Sequence, residues 1–330
     1  MSALAPTLQR FFTDRLMSQR KVSTHTIASY RDTFRLLFAY ISEQSGKQPS
    51  SLDFNDVDAP LVAAFLDHLQ AGRQNSVRTR NTRLAAIRSF YRYAALQHPE
   101  HAETIRRVLA IPPKRFERNL VTYLTEPEVD ALLNVCDRQT WTGRRDYAML
   151  VLAIQTGLRI SEIIGLTCGD LTLDGPGAHV HCLGKGRKER NTPLLASTIA
   201  VLQVWCDERQ GNTSDPLFPT STGSPLSRDA IERRIKLCVF RATAGCPSLK
   251  SKRVSAHTLR HTAAMRLLMS GAAITVIALW LGHEDVSTTQ IYLSADMTLK
   301  EQAIAKVTPP ATTPGRYHPP DIMLAFLEGL

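Results

Sequence analysis

Long apolar runs are missing from this chain of 330 residues. The longest, Ala148 to Ile154 trailing on to Leu158, falls far short of the ~20 residues that cross a bilayer, and the N-terminus has no signal-peptide core. The expectation is a cytoplasmic protein with no membrane partner. Its six cysteines, at 136, 168, 182, 206, 238 and 246, include no C-x-x-C pair, which argues against a zinc ribbon or a disulfide scaffold and for reduced, mostly buried thiols. A G-x-x-x-x-G-K-[ST] loop and a G-x-G-x-x-G turn are both lacking, so no bound nucleotide is expected. HTLRH sets His257 and His261 four residues apart on one helical face, but the Glu of H-E-x-x-H is absent and zinc is not expected. The chain is read as working without a cofactor.

What is present is positive charge, unevenly spread. Of the net +10, residues 1–118 carry 18 Lys and Arg against 10 Asp and Glu, and the remainder 22 against 20. A field concentrated in the first third draws a polyanion, most commonly nucleic acid. With 43% hydrophobic residues, the chain has enough apolar content for two cores.

From Thr7 to about Gln97 the apolar spacing is helical in four stretches, LQRFFTDRLM, THTIASYRDTFRLLFAYISEQ, PLVAAFLDHLQ and SVRTRNTRLAAIRSFYRYAALQ. Residues 1–110 are therefore expected to form a helical bundle that binds DNA. Its last helix carries Arg78, Arg80, Arg83, Arg88 and Arg92 among Leu84, Ile87, Tyr91 and Tyr93, with Arg73 just ahead. Such a helix packs one face and offers phosphates the other. IPPKRFERN, residues 111–119, has the prolines and charge of a linker.

Residues 120–307 read as a second domain, mostly helical with one small sheet. TEPEVDALLNVC opens with a capping box, Thr125 to Glu128. RDYAMLVLAIQTGL and RISEIIGL are helices separated at Gly157, HVHCLGKGRKERNTPL is a hairpin with Lys185 at its tip, and further helices include HTLRHTAAMRLLMSG, AITVIALWLG and a segment around Tyr292. Residues 308–330 are a Pro-rich spacer followed by DIMLAFLEGL, a short apolar helix candidate for which docking on a neighbouring protomer and folding back on its own domain both stay open.

One set of cationic and proton-carrying residues stands out in order: Arg159, Lys185, His257, Arg260, His283 and Tyr292. Attack on a phosphodiester gathers negative charge on a pentacoordinate phosphorus, which two guanidiniums can clamp. A tyrosine of ordinary pKa ~10 needs a base or a positive field to attack at neutral pH. The leaving oxygen needs a proton, which a lysine on a hairpin tip can deliver.

TGLRISE, LGKGRKERNTPL, HTLRHTAAMRL and LGHEDVSTTQIY together resemble the tyrosine recombinase, or phage-integrase, family, in which Arg, Lys, His-x-x-Arg, His and Tyr follow in this order. The nine-residue interval from His283 to Tyr292 is similar to that of the bacterial Xer recombinases, and the likeness runs from about residue 7 to 305. It implies a mainly α protein of two domains, an N-terminal SAM-like core-binding bundle and a C-terminal mixed α/β catalytic domain with a small antiparallel sheet. It further implies that Arg159 and Arg260 hold the scissile phosphate and His283 bonds to it. His257 exchanges a proton near the nucleophile, Lys185 protonates the leaving 5′-oxygen, and Tyr292 forms a 3′-phosphotyrosyl link to DNA. His261 is taken as structural and Glu162 as a support for the helix after Arg159. Lys188 is the alternative to Lys185 and a candidate DNA contact. The implied partners are double-stranded DNA, further copies of the chain in a synaptic tetramer, and accompanying recombinases of the same element.

The chain runs 38 residues beyond Tyr292, longer than short Xer-type members, and its tail is similar to those of tyrosine recombinases borne on mobile elements. Chromosome resolution, a type IB topoisomerase and a non-catalytic DNA-binding regulator stay open as alternatives.

Overall fold

The computed structural model describes residues 4–116, 121–184, 188–283 and 285–292, without the side chain at 287. The chain divides into two compact units, Met1–Arg118 and Asn119–Leu330. Among the described residues no helix is long and apolar enough to cross a membrane, and all six cysteines are free thiols.

The first unit is helical throughout. Helix α1 (Leu4–Arg10) runs on as a π-helical stretch, Phe11–Gln19, and is followed by α2 (Thr24–Ser45), α3 (Ala59–Ala71), α4 (Val77–Ala94) and α5 (Ala102–Ala110). Local chemistry sets their starts: Ser23, Asp58 and Ser76 each accept a backbone N–H of the first turn, satisfying donors that the helix itself leaves free. The core gathers Phe11, Phe34, Phe54, Phe65 and Phe90 with Leu37, Ile41, Leu66 and Ile87. The spacing expected four helices; α5 is a fifth, and it buries Ile105 and Val108 in the same core. The start of the expected linker is tied to this unit as well. Ile111 packs on the core, Lys114 Nζ lies 2.9 Å from Asp67, and the Asn81 side chain exchanges two hydrogen bonds with the Lys114 backbone.

Two of the arginines expected to face DNA are engaged inside this unit, and a third is half-buried. Arg80 is 4% exposed, because positions 80, 84, 87 and 91 form one stripe of α4 and the other three are core residues. Arg83 donates to the Ser29 carbonyl and the Thr33 hydroxyl, both at 3.0 Å. Arg88 is half-buried and its Nε lies out of solvent. Arg73, Arg78 and Arg92 are exposed.

The second unit contains α6 (Glu126–Asn134), α7 (Trp141–Thr156), α8 (Ile160–Gly165), β1 (Leu171–Thr172), β2 (His179–Leu183), β3 (Glu189–Pro193), α9 (Ala196–Arg209), α10 (Arg228–Ala242), α11 (Ala256–Met269) and α12 (Ile274–Leu281). The capping box at Thr125 and Glu128 is formed. Helix α7 packs against both α9 and α11 and carries Met149, Leu150, Leu152 and Ile154 into a core with Trp205, Phe218 and Leu259. The expected hairpin is β2 and β3, antiparallel with Leu183 opposite Glu189, and β1 adds a third strand beside β2. Its tip, with Lys185, lies outside the described residues, as does everything after Tyr292, including the C-terminal helix candidate. Around Tyr292 the backbone forms short 3-10 turns, Val286–Thr288 and Gln290–Tyr292, where a helix was expected.

Candidate active site

Two glycines and the end of α12 hold the arginines. Gly157 ends α7 in the left-handed region, φ +65°, and a Cβ there would stand 2.7 Å from the Leu281 side chain and 3.0 Å from Ala263. The carbonyl of Gly157 accepts Arg260 Nη1 at 2.7 Å, and that of Leu281 accepts Arg260 Nη2 at 2.7 Å. The next carbonyl, Gly282, accepts Arg159 Nη2 at 3.0 Å. Two guanidiniums are thus seated on consecutive carbonyls at the negative end of a helix, where cations are favoured.

The second anchor is Glu162. Its carboxylate receives the Arg159 backbone N–H (2.7 Å), Arg159 Nη1 (2.8 Å) and both terminal nitrogens of Arg190 (3.0 and 2.8 Å). Burial works against this carboxylate, but the bonds from Arg190 and the Arg159 backbone outweigh it and hold its pKa below the ordinary value. Arg190, from β3, also lies against Gly282, where a Cβ would come within 2.9 Å of Nη1. Two guanidiniums therefore share one carboxylate while a third, Arg260, stands in its field, and the surplus positive charge calls for an anion. Arg260 shows the strain of this: burial and then the neighbouring Arg159 push its pKa down to about 10, which still leaves it charged at neutral pH.

His283 follows Gly282 directly and is fixed by its backbone N–H to Ala278 and by Nδ1 2.7 Å from the Thr289 hydroxyl. Burial, followed by the field of Arg260, Arg159 and Arg190, lowers its pKa to about 4, so the imidazole is neutral at pH 7. Tyr292 is 1% exposed and packs with Ala264, Met265, Leu268, Ile277 and Leu281. Burial raises its pKa to about 12 against the lowering pull of Arg260. Its hydroxyl meets His261 Nδ1 at 2.9 Å. His257 is exposed, with its ring edge-on to His261 at 4.2 Å between centroids.

Of the six residues singled out for chemistry, Arg159, Arg260 and His283 converge on the end of α12, and the field of Arg260 reaches Tyr292. Lys185 is outside the described residues, while Lys188 is exposed and accepts the Gly184 N–H on its carbonyl at 2.7 Å. Sequence reasoning missed Arg190. A faint signal was available, since two-residue alternation puts it on the inward face of β3 with buried Thr192, but both residues are polar. His261, taken as structural, is the residue bonded to the Tyr292 hydroxyl. Among the described residues no group of three or more His, Cys, Asp or Glu side chains is placed to hold a metal ion.

Comparisons with known proteins identify the family. The model of the phage integrase family matches residues 122–298, and that of the phage integrase N-terminal SAM-like domain matches residues 8–98. The chain is 54% identical over 329 residues to a putative integrase/recombinase, y4rC, of Sinorhizobium fredii, covering 100% of this chain and 99% of that protein. It is 33% identical over 306 residues to the tyrosine recombinase XerC of Pelobacter propionicus, covering 92% and 96%. Among solved structures, the XerH site-specific recombinase bound to palindromic difH substrate in a post-cleavage complex has a TM-score of 0.70 at 22% identity, over 87% of this chain and 81% of that one. The Tn1549 transposon integrase in complex with transposon right end DNA also reaches 0.70, at 18% identity, over 90% and 98%. These last two likenesses are of fold.

Proposed function

Since the chain belongs to the phage integrase family of tyrosine recombinases, we propose that it is a site-specific DNA recombinase that cuts and rejoins strands through Tyr292. The observation that carries the reading is the seat of Arg159 and Arg260 on consecutive carbonyls, with Arg190 and Glu162 behind them and a tyrosine hydroxyl within the field of Arg260. A guanidinium has five N–H donors. Arg260 spends two of its five on carbonyls and retains the rest for the non-bridging oxygens of a phosphate.

The Tyr292 oxygen attacks phosphorus, the bond to the 5′-oxygen breaks, and a 3′-phosphotyrosyl link stores the energy for rejoining. Pentacoordinate phosphorus carries more negative charge than the ground state, so the fixed cations favour the transition state over the substrate. His283 Nδ1 lies 2.7 Å from the Thr289 hydroxyl; in the tautomer that accepts there, the ring proton is on Nε2 and can be donated to a phosphate oxygen. Lys185 is the proton donor to the leaving oxygen. Exposed Arg73 and Arg78 in the first unit give phosphate contacts that set register without reading bases.

The partner is double-stranded DNA, in the cytoplasm, bound by several copies of the chain. A synaptic tetramer and accompanying recombinases of a mobile element are the finer form of this proposal; the 54% likeness to a putative integrase/recombinase along the whole chain supports its recombinase part. The test is a nicked suicide substrate in EDTA. A covalent protein–DNA adduct is expected, and Tyr292→Phe abolishes it while leaving DNA binding intact. An adduct with the Phe variant, or strict dependence on metal, overturns the reading.

A further inference from the structure

Cleavage gives Arg159 and Arg260 to the phosphate and leaves Arg190 without a task, yet its place is closely built. It stands opposite Cys182 on the neighbouring strand, its side chain is 13% exposed, and the Glu162 side chain that it meets is 3% exposed. Both terminal nitrogens donate to that carboxylate, Nη1 at 3.0 Å and Nη2 at 2.8 Å, a two-pronged bond that fixes orientation as well as distance. Glycines leave the guanidinium room on two sides. A Cβ on Gly184, just after β2, would stand 3.2 Å from Nη1, and a Cβ on Gly282 would stand 2.9 Å from Nη1 and 3.3 Å from Cζ. From this slot Arg190 reaches Arg159 by two routes. Glu162 Oε1, which takes Arg190 Nη1, also takes Arg159 Nη1 at 2.8 Å, and the Gly282 carbonyl accepts Arg159 Nη2 at 3.0 Å. Whatever holds Glu162 and Gly282 in place therefore sets the plane of the Arg159 guanidinium.

We propose that Arg190 is a positioning residue for strand cleavage: it grips Glu162 and backs Gly282, so that the Arg159 guanidinium is held in the orientation that receives the phosphate. The inference rests on the cleavage reaction proposed for Tyr292. In this role Arg190 does not touch DNA, and its loss acts through Arg159, where a misplacement of ~1 Å costs about 10²-fold in rate. Charge enters as well. Among the described residues, Glu162 is faced by Arg159 beside it, Arg190 from β3, Cys182 from β2 and Arg260 from α11. Burial pushes the Cys182 thiol up to about 11, so it stays neutral at and below pH 8. Burial also works to raise the pKa of Glu162, and the bond from Arg190 is the largest of the effects that bring it below the ordinary value. Without Arg190 the balance moves toward burial, the carboxylate takes up a proton at a higher pH, and a neutral Glu162 holds Arg159 less firmly.

The experiment is single-turnover cleavage of the nicked suicide substrate at saturating DNA by the full chain, from pH 5.5 to 8. The variants are Glu162→Gln, Arg190→Met and Arg190→Lys, the last two each alone and combined with Glu162→Gln. We expect Arg190→Met and Glu162→Gln to bind DNA as wild type does and to cleave ~10²-fold more slowly. The Gln/Met double variant should also be ~10²-fold slow, because a residue that acts through Glu162 has nothing to act on once the carboxylate is gone; independent effects would multiply to ~10⁴. The ratio of wild-type to Arg190→Met rates should grow as pH falls, while the ratio of Glu162→Gln to the double variant stays constant. Arg190→Lys keeps the charge but not the fork, so its rate should be ~10-fold low with the wild-type pH profile. A ~10⁴-fold loss in the double variant, or weakened DNA binding by Arg190→Met, would mean that Arg190 meets the phosphate itself. A slow Met variant whose ratio to wild type ignores pH would mean a structural role, and a wild-type rate in either Arg190 variant would mean no positioning. Each of these results overturns the proposal. Adduct formation by Tyr292→Phe in the same assay would instead sink the cleavage reading, separately from Arg190. Thermal melting of each variant separates misfolding from slow chemistry, and the Lys variants keep the test decisive should Arg190→Met not fold.

Discussion

Replacing Glu162 with Gln removes one charge while nearly preserving shape, and its cost can be worked out from the four hydrogen bonds the carboxylate receives. Two come from Arg190, one from the Arg159 guanidinium and one from the Arg159 backbone N–H. An amide offers one oxygen, and its NH2 turns a donor toward groups that are themselves donors. Glu162 is 6% exposed, and removing one partner of a buried ion pair costs roughly 3–5 kcal/mol. The Arg159 side chain is 30% exposed, so water softens the loss and we take the lower end, about 3 kcal/mol. For a unit of this size that lowers the melting temperature by roughly 6–12 °C. Because the pKa of Glu162 is depressed in the folded state, its stabilisation is fully present above the unfolded value of ~4.3 and is lost as pH falls through the folded value. The gap between wild type and variant should therefore be constant from pH 6 to 8 and close in acid. Urea titrations at several pH values measure it. A gap under about 1 kcal/mol at pH 7, or one that widens as pH falls, refutes the reasoning. Cleavage should also fall by ~10²-fold, since Arg159 loses its orienting partner.

Two further outcomes follow from the same geometry. Arg78→Ala, at an exposed site, should weaken DNA binding and reduce the slope of log K against log salt by about one counterion, whereas Arg80→Ala should lower the stability of the first unit and leave that slope unchanged; titrations at four salt concentrations separate the two. Gly157→Ala sets a Cβ 2.7 Å from Leu281 at a positive φ, so it should cost about 1–3 kcal/mol and, by moving the carbonyl that holds Arg260, slow cleavage more than it weakens DNA binding.

Local signals carried much of this protein. Helix starts were legible at Thr125 and Glu128 because a capping box is a short-range device whose spacing is fixed by the helix itself. The hairpin was legible because β-type residues flank Gly-Lys-Gly in the sequence, and the ordered set from Arg159 to Tyr292 stood out because its chemistry suits one reaction; of that set, Arg159, Arg260 and His283 meet at the end of α12. The face of α4 was misread at Arg80, although positions 80, 84, 87 and 91 share a stripe. A long side chain can cover a core edge with its stem, so charge in the sequence does not report exposure.

Tertiary structure decided the rest. Glu162 and Arg190 are 28 residues apart and meet only because the fold brings their two elements within reach of a side-chain ion pair. The seats of Arg159 and Arg260 are backbone carbonyls at the end of α12, and a carbonyl has no signature in a sequence. His257 and His261 stand on the same face of α11 at four-residue spacing, equally eligible by helix geometry. The contact of the Tyr292 hydroxyl with His261 is set by where the 3-10 turn after α12 packs against α11. The sequence by itself determined which groups are available and on which elements they ride, because caps and periodicity act over a few residues. Their pairing depended on contacts between segments distant in sequence, which only the packed core brings within hydrogen-bonding distance.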